Sequence, residues 1–134
     1  MRDYAPLINA ACQRNLMFMG LALVSAVIQH ESGGNPLAVG DGGLALGLMQ
    51  VHRDAAADVN LGEEWDQLDA AIKAGDADTA ARLSIDIGVA YLQSMVRQFR
   101  GSEPWALAAY NQGPGVIGKA KAYADAVLIL KAQG

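Results

Sequence analysis

A chain of 134 residues, 52% apolar and 18% charged, has the length and hydrophobicity of one compact soluble domain with a real core, and no room for a second. The formal net charge of -4 and an isoelectric point near 4.9 argue against a nucleic-acid or anionic-membrane partner, since both demand clustered cations. The single cysteine, Cys12, rules out an internal disulfide and a thiolate metal framework, and reads as a small buried apolar residue.

The apolar period is helical along most of the chain, so a mainly α fold is expected. A first helix is predicted over residues 3–13, with Leu7, Ile8 and Ala11 on one face and Asp3 placed to cap orphan amides. A second, over residues 17–32, is apolar nearly all round and reads as the central buried helix, stopped by Gly33 and Gly34. Its run 16–28, preceded by Arg2 and Arg14, imitates a signal-peptide core. It is too short to span a membrane, and cleavage near Ala26 would remove most of the helix, so no export signal is expected.

Residues 35–50 are rich in Gly and then turn to Leu44, Leu46, Leu48 and Met49, which predicts a loop and a small extended or hairpin segment. A short helical turn over 54–58 and a surface helix over 63–74, ending at Gly75, follow. The longest helix is expected over 78–99, where Ile85, Val89, Leu92, Val96 and Phe99 form a core stripe. Ser102, Glu103 and Pro104 start a short helix carrying Trp105, Tyr110 and Asn111, and Gly113, Pro114 and Gly115 stop it. The last helix, over 116–132, repeats the stripe with Val116, Ala120, Tyr123, Val127 and Leu130. There is no repeat, low-complexity tract or linker, so residues 1–134 are expected to form a single domain.

Glu31 falls in the last turn of the most apolar helix, where the negative end of the helix dipole disfavours a carboxylate. Burial beside Val27 and Ile28 acts in the same direction, raising the pKa toward that of a working general acid. A solvated glutamate at a frayed helix end is the plainer alternative. Ser32 can hydrogen-bond an acid or an acetamido group, or merely satisfy backbone. Gly47 permits close backbone approach to a ligand or serves turn geometry, and Gln50 offers both a donor and an acceptor. Leu48 and Met49 read as core or groove wall. Tyr110 and Asn111, beside a Gly-Pro-Gly turn, are placed to aim polar groups into a cleft. Tyr123 lies on an apolar stripe and reads equally as a buried aromatic whose hydroxyl found an acceptor. His30 and His52 have no further ligands at metal-binding spacing, so no metal site and no cofactor are expected. Glu63, Glu64 and Asp66 read as a solvated acidic face.

The string Ala26-Val27-Ile28-Gln29-His30-Glu31-Ser32-Gly33-Gly34-Asn35-Pro36, with Ala38-Val39 and Leu46-Gly47-Leu48-Met49-Gln50, resembles the first two motifs of the soluble lytic transglycosylases. Ile85-Asp86-Ile87-Gly88 with Tyr91-Leu92 resembles that family's long helix. Ala108-Ala109-Tyr110-Asn111-Gln112-Gly113-Pro114-Gly115 resembles its third motif, and Tyr123 falls where a C-terminal tyrosine is expected. The matches are correctly ordered and span nearly the whole chain. The resemblance to this superfamily, which includes the goose-type lysozymes, implies a lysozyme-like α domain with a small loop or β-hairpin region beside a substrate groove. It implies Glu31 as the essential acid at the β-1,4 bond between N-acetylmuramic acid and N-acetylglucosamine, with Tyr123 touching it and 1,6-anhydro products. Substrate-binding residues are then Ser32, Gly47, Met49, Gln50, Tyr110, Asn111 and Tyr123.

Asp41 keeps a second mechanism open. In goose-type lysozymes an Asp in this loop is associated with hydrolysis, and Gly40-Asp41 resembles that placement, so Asp41 is a catalytic candidate for an inverting hydrolase. His52 stands where those lysozymes carry another acid, which leaves that match incomplete. A loop Asp before two glycines is also an ordinary turn residue. The reading from another class is a non-catalytic glycan-binding or virion structural module. The expected partner is the peptidoglycan glycan strand, with no nucleic acid, no integral membrane segment and a monomeric state. A murein-directed chain without an export signal suggests a phage lysis or virion protein, part of a longer polypeptide, or a chain whose leader has been removed.

Overall fold

The computed structural model describes residues 3–113 and 121–134. Among these, α1 (Ala5–Arg14) and α2 (Leu21–Ser32) precede a two-stranded antiparallel ribbon, β1 (Val39–Gly40) and β2 (Ala45–Leu46). Five helices follow: α3 (Arg53–Asp58), α4 (Gly62–Lys73), α5 (Ala77–Gln98), α6 (Glu103–Gln112) and α7 (Lys121–Gln133). The mainly α expectation, with a small hairpin region in the Gly-rich segment, therefore holds. The expected stripe positions Val116 and Ala120, and the turn residues Pro114 and Gly115, lie outside the described residues.

α5 is the axis of the molecule, with α1, α3, α4 and α6 packed around it, while α2 and α6 both pack on α7. Its start is fixed by the Asp76 carboxylate, which accepts the Thr79 amide at 3.2 Å. Ile85, Val89 and Leu92 on its stripe are completely buried, each such side chain stabilising the fold by roughly 1.5–3 kcal/mol. Val96 and Phe99 are half-buried, where the helix end emerges from the core. α6 starts as its sequence predicts, with Ser102 Oγ accepting the Trp105 amide and Pro104 in the first turn. At α1 the Asp3 carboxylate accepts the Ala5 amide at 2.9 Å, just ahead of the first helical residue.

The second helix differs from its expected span. It begins at Leu21, and residues 16–20 form a turn in which Leu16 and Met19 adopt φ of 55° and 56°. Gly20 is pressed so closely on Met17 and Cys12 that a Cβ there would lie 2.6 Å from the Met17 sulfur. The turn directs Phe18 and Met19 outward, 86% and 96% exposed, so the run 16–28 is not one buried helix. α5, with twelve buried residues, takes the central place expected of α2, which buries only Leu23, Val24, Ala26, Val27 and Ile28. No helix among the described residues is long and apolar enough to cross a membrane.

Candidate active site

Glu31 lies in the last turn of α2, which Gly33 closes in the left-handed conformation at φ 62° while its amide donates to the Gln29 carbonyl. The carboxyl is half-buried where α2 packs on α7. The Tyr123 hydroxyl, from α7, donates to its Oε2 at 3.3 Å. Burial raises the Glu31 pKa, the Tyr123 hydrogen bond opposes it by favouring the carboxylate, and the charge of Asp41 adds to the rise. The outcome is a carboxyl pushed up to about 7. Burial and the Glu31 charge also push the Tyr123 phenol upward, so it stays a donor. The exposed His30 ring meets the Tyr123 ring edge-on, with centroids 5.0 Å apart.

The second motif forms a tight turn pinned against α5 and α6. Gly47 has φ 77°, and a Cβ there would stand 2.8 Å from both Cβ and Oγ of Ser84. The buried Ser84 hydroxyl accepts the Met49 amide at 3.0 Å, and the Tyr110 hydroxyl donates to the Met49 carbonyl at 2.8 Å. The Met49 side chain is wholly buried against Gly88, where any Cβ would overlap its thioether. Met49 therefore reaches the site as a carbonyl and not as a groove-lining side chain. Tyr110 is held far above the ordinary phenol range by burial first, then by Tyr123, Glu31 and Tyr91.

The Ser32 hydroxyl donates to the Leu48 carbonyl at 2.8 Å and accepts the Gly34 amide at 3.2 Å, tying the end of α2 to the same turn. Gln50, at φ 48°, donates through Nε2 to the carbonyls of Ala38 and Gly47 at 3.2 and 2.9 Å. Gln50, Tyr110 and Asn111 line a cleft of about 350 Å³ with His52 and Tyr91. Asn111 is exposed, and its Oδ1 accepts from Gln112 at 2.7 Å. Asp41 lies on the exposed turn between the strands, 3.0 Å from the Nε2 of His52. A larger groove of about 1000 Å³ runs along the outer side of α2 past Ile28 and Gln29, apart from these residues.

Three supporting residues were given no role from sequence. Ser84 and Gly88 shape the face of α5 against which the Gly47–Gln50 turn packs; a serine and a glycine interrupting an apolar stripe are the signal that marks them. Trp65 on α4 donates through Nε1 to the Val51 carbonyl at 2.8 Å, fixing the chain just beyond Gln50. His52, read as a solvated or hydrogen-bonded histidine with no partner named, pairs with Asp41. Among the described residues, no group of three or more His, Cys, Asp or Glu is arranged to hold a metal ion.

A helical domain with a small antiparallel ribbon, and a half-buried glutamic acid beneath a tyrosine, is a lysozyme-like architecture. A model of the transglycosylase SLT domain family matches residues 7–132, and the chain belongs to that family. Its members are lytic transglycosylases that act on peptidoglycan.

Proposed function

We propose that this chain, acting as one lysozyme-like domain, cleaves the β-1,4 bond between N-acetylmuramic acid and N-acetylglucosamine and leaves 1,6-anhydromuramoyl ends. The observation that carries the reading is Glu31, a half-buried carboxyl that ionises near 7 under the Tyr123 hydroxyl. A glutamic acid still protonated near neutrality can give its proton to the glycosidic oxygen as the C1–O bond breaks. The muramoyl N-acetyl oxygen stabilises the cationic anomeric carbon, as substrate-assisted glycosidases do. The resulting Glu31 carboxylate then takes the proton of the C6 hydroxyl as that oxygen closes on C1, which restores the acid. Ser32, Gly47 and Met49 shape the turn that borders this site, while Gln50, Tyr110 and Asn111 form the wall that meets the glycan. The place of action is the bacterial cell wall, in the periplasm or outside the cell, and the working form is a monomer.

A second reading is favoured by one observation: the charge of Asp41 acts on Glu31. A carboxylate on that side can activate water and make the enzyme an inverting hydrolase. Purified peptidoglycan treated with wild type and with Glu31→Gln separates the cases. Wild type is expected to release muropeptides one water lighter than hydrolysed ends, and Glu31→Gln none. Equal release by both overturns the role of Glu31, and release by neither overturns it and favours a binding module. Reducing ends that vanish in Asp41→Asn replace the transglycosylase reading by the hydrolase.

A further inference from the structure

Asp41 and His52 meet because of the register of the ribbon. Val39 pairs with Leu46 and Gly40 with Ala45, and an antiparallel bridge joins Leu46 to Val51. Extending that bridge by one residue sets Ala45 between Gly40 and His52, so Asp41 and His52 leave the ribbon at the same end. The His52 Nε2 lies 3.0 Å from Asp41 Oδ2. The Asp41 backbone sits at φ 49°, a left-handed turn conformation that aspartate adopts more readily than most residues. The side chains are 68% exposed at Asp41 and 46% at His52, so the pair contributes little to folding. A contact that hardly stabilises the fold, formed between two polar groups beside a cleft, suits a functional role. His52 also shares the cleft with Gln50, Tyr110 and Asn111.

We infer that His52 is a positioning residue: its Nε2–H donates to Oδ2 of Asp41 and holds that carboxylate against the ribbon, beside the cleft that His52 lines with Gln50, Tyr110 and Asn111. The inference deepens the glycan-cleaving reading and rests on it for its consequence, though the pairing itself does not. Tyr123 from α7 bonds Glu31, His30 beside it on α2 meets the Tyr123 ring, and Asp41 from the ribbon turn and Tyr110 from α6 are coupled to it through charge. Arg53 and Asp54, at the start of α3, are the charged neighbours of His52 in the chain. Asp41 is the group in this set that brings a full negative charge, and it acts on Glu31 in the direction that retains the proton. A negative charge near Glu31 also favours the positive charge that develops at the anomeric carbon, whether a C6 hydroxyl or water ends the reaction.

NMR of the folded protein tests this without turnover. The ¹⁵N spectrum of His52 should show the Nε2–H tautomer in wild type and lose that bias in Asp41→Asn. The ¹³C titration of Glu31 should move below its wild-type position in His52→Ala and in Asp41→Asn. It should return toward wild type in His52→Gln, whose amide donates from the same place. The Asp41→Asn/His52→Ala double variant should match Asp41→Asn alone. The alkaline limb of muropeptide release should move in parallel. The inference is overturned if His52→Ala leaves Glu31 unmoved, or if its effect adds to that of Asp41→Asn. Absence of release by wild type counts against the Glu31 reading alone, since the NMR results still decide the positioning role.

Discussion

Tyr123 donates to Oε2 of Glu31 at 3.3 Å across a sequence separation of 92 residues, joining the C-terminal turn of α2 to the first turn of α7. The bond stabilises the carboxylate while burial of the same group stabilises the acid, and burial is the stronger effect. The Glu31 proton is thus held by the packing of α2 on α7 and moderated by one phenol.

Replacing Tyr123 with Phe removes the moderating bond and leaves the burial. Glu31 is expected to titrate above its wild-type value of about 7, with the alkaline limb of muropeptide release displaced to higher pH. A ¹³C titration of the Glu31 carboxyl checks the sign; a downward move would show that the phenol does not act through this hydrogen bond.

Glu31 also makes the fold sensitive to pH in a defined direction. A carboxyl that ionises near the ordinary 4.5 when unfolded and near 7 when folded binds more protons in the native state between those values. Stability must therefore fall as pH rises through that window and level off above it, by about 2–3 kcal/mol after allowance for partial exposure. Glu31→Gln, which has no charge to bury, should be more stable than wild type at pH 8 and nearly equal to it at pH 4. Urea denaturation at the two pH values measures the difference.

The backbone of Met49 is held on both sides, its amide by Ser84 and its carbonyl by Tyr110. Ser84→Ala leaves a buried amide unpaired and should destabilise by about 1–3 kcal/mol, whereas Tyr110→Phe should remove about 1 kcal/mol. Chemical denaturation gives both values, and a Ser84→Ala loss below a few tenths would mean that the Gly47–Gln50 turn is fixed by packing alone.

Phe18 and Met19, by contrast, contribute almost nothing to the core. Phe18→Ser and Met19→Ser are each expected to change stability by less than about 0.5 kcal/mol, while a single buried helix over this run would predict a loss several times larger. Thermal melts of the two variants distinguish these cases.

Much of the fold was legible because the apolar stripes of α5 and α7 keep a helical period and because Ser102 and Gly33 mark helix ends with their own chemistry. The start of α2 was not: residues 17–20 are as apolar as those after them, and composition does not distinguish a buried turn of helix from an outward one. Close packing of Gly20 on Met17 and Cys12 decided it, and such a contact depends on tertiary structure. At the site, Glu31, Tyr110 and Tyr123 stood out through position and motif. The burial of Met49 on Gly88, and the pairing of Asp41 with His52, depend on helix placement and strand register, which no local pattern carries.

Both hydrogens of the Gln50 amide are already given to the carbonyls of Ala38 and Gly47, so its oxygen is what it has left to present. Asn111, whose oxygen is occupied by Gln112, presents hydrogens from the same cleft. A molecule settling against both can surrender a hydrogen at one point and receive one at the other. An acetamido substituent, with its N–H and its carbonyl, has that polarity built in, whereas an ether oxygen can answer only Asn111.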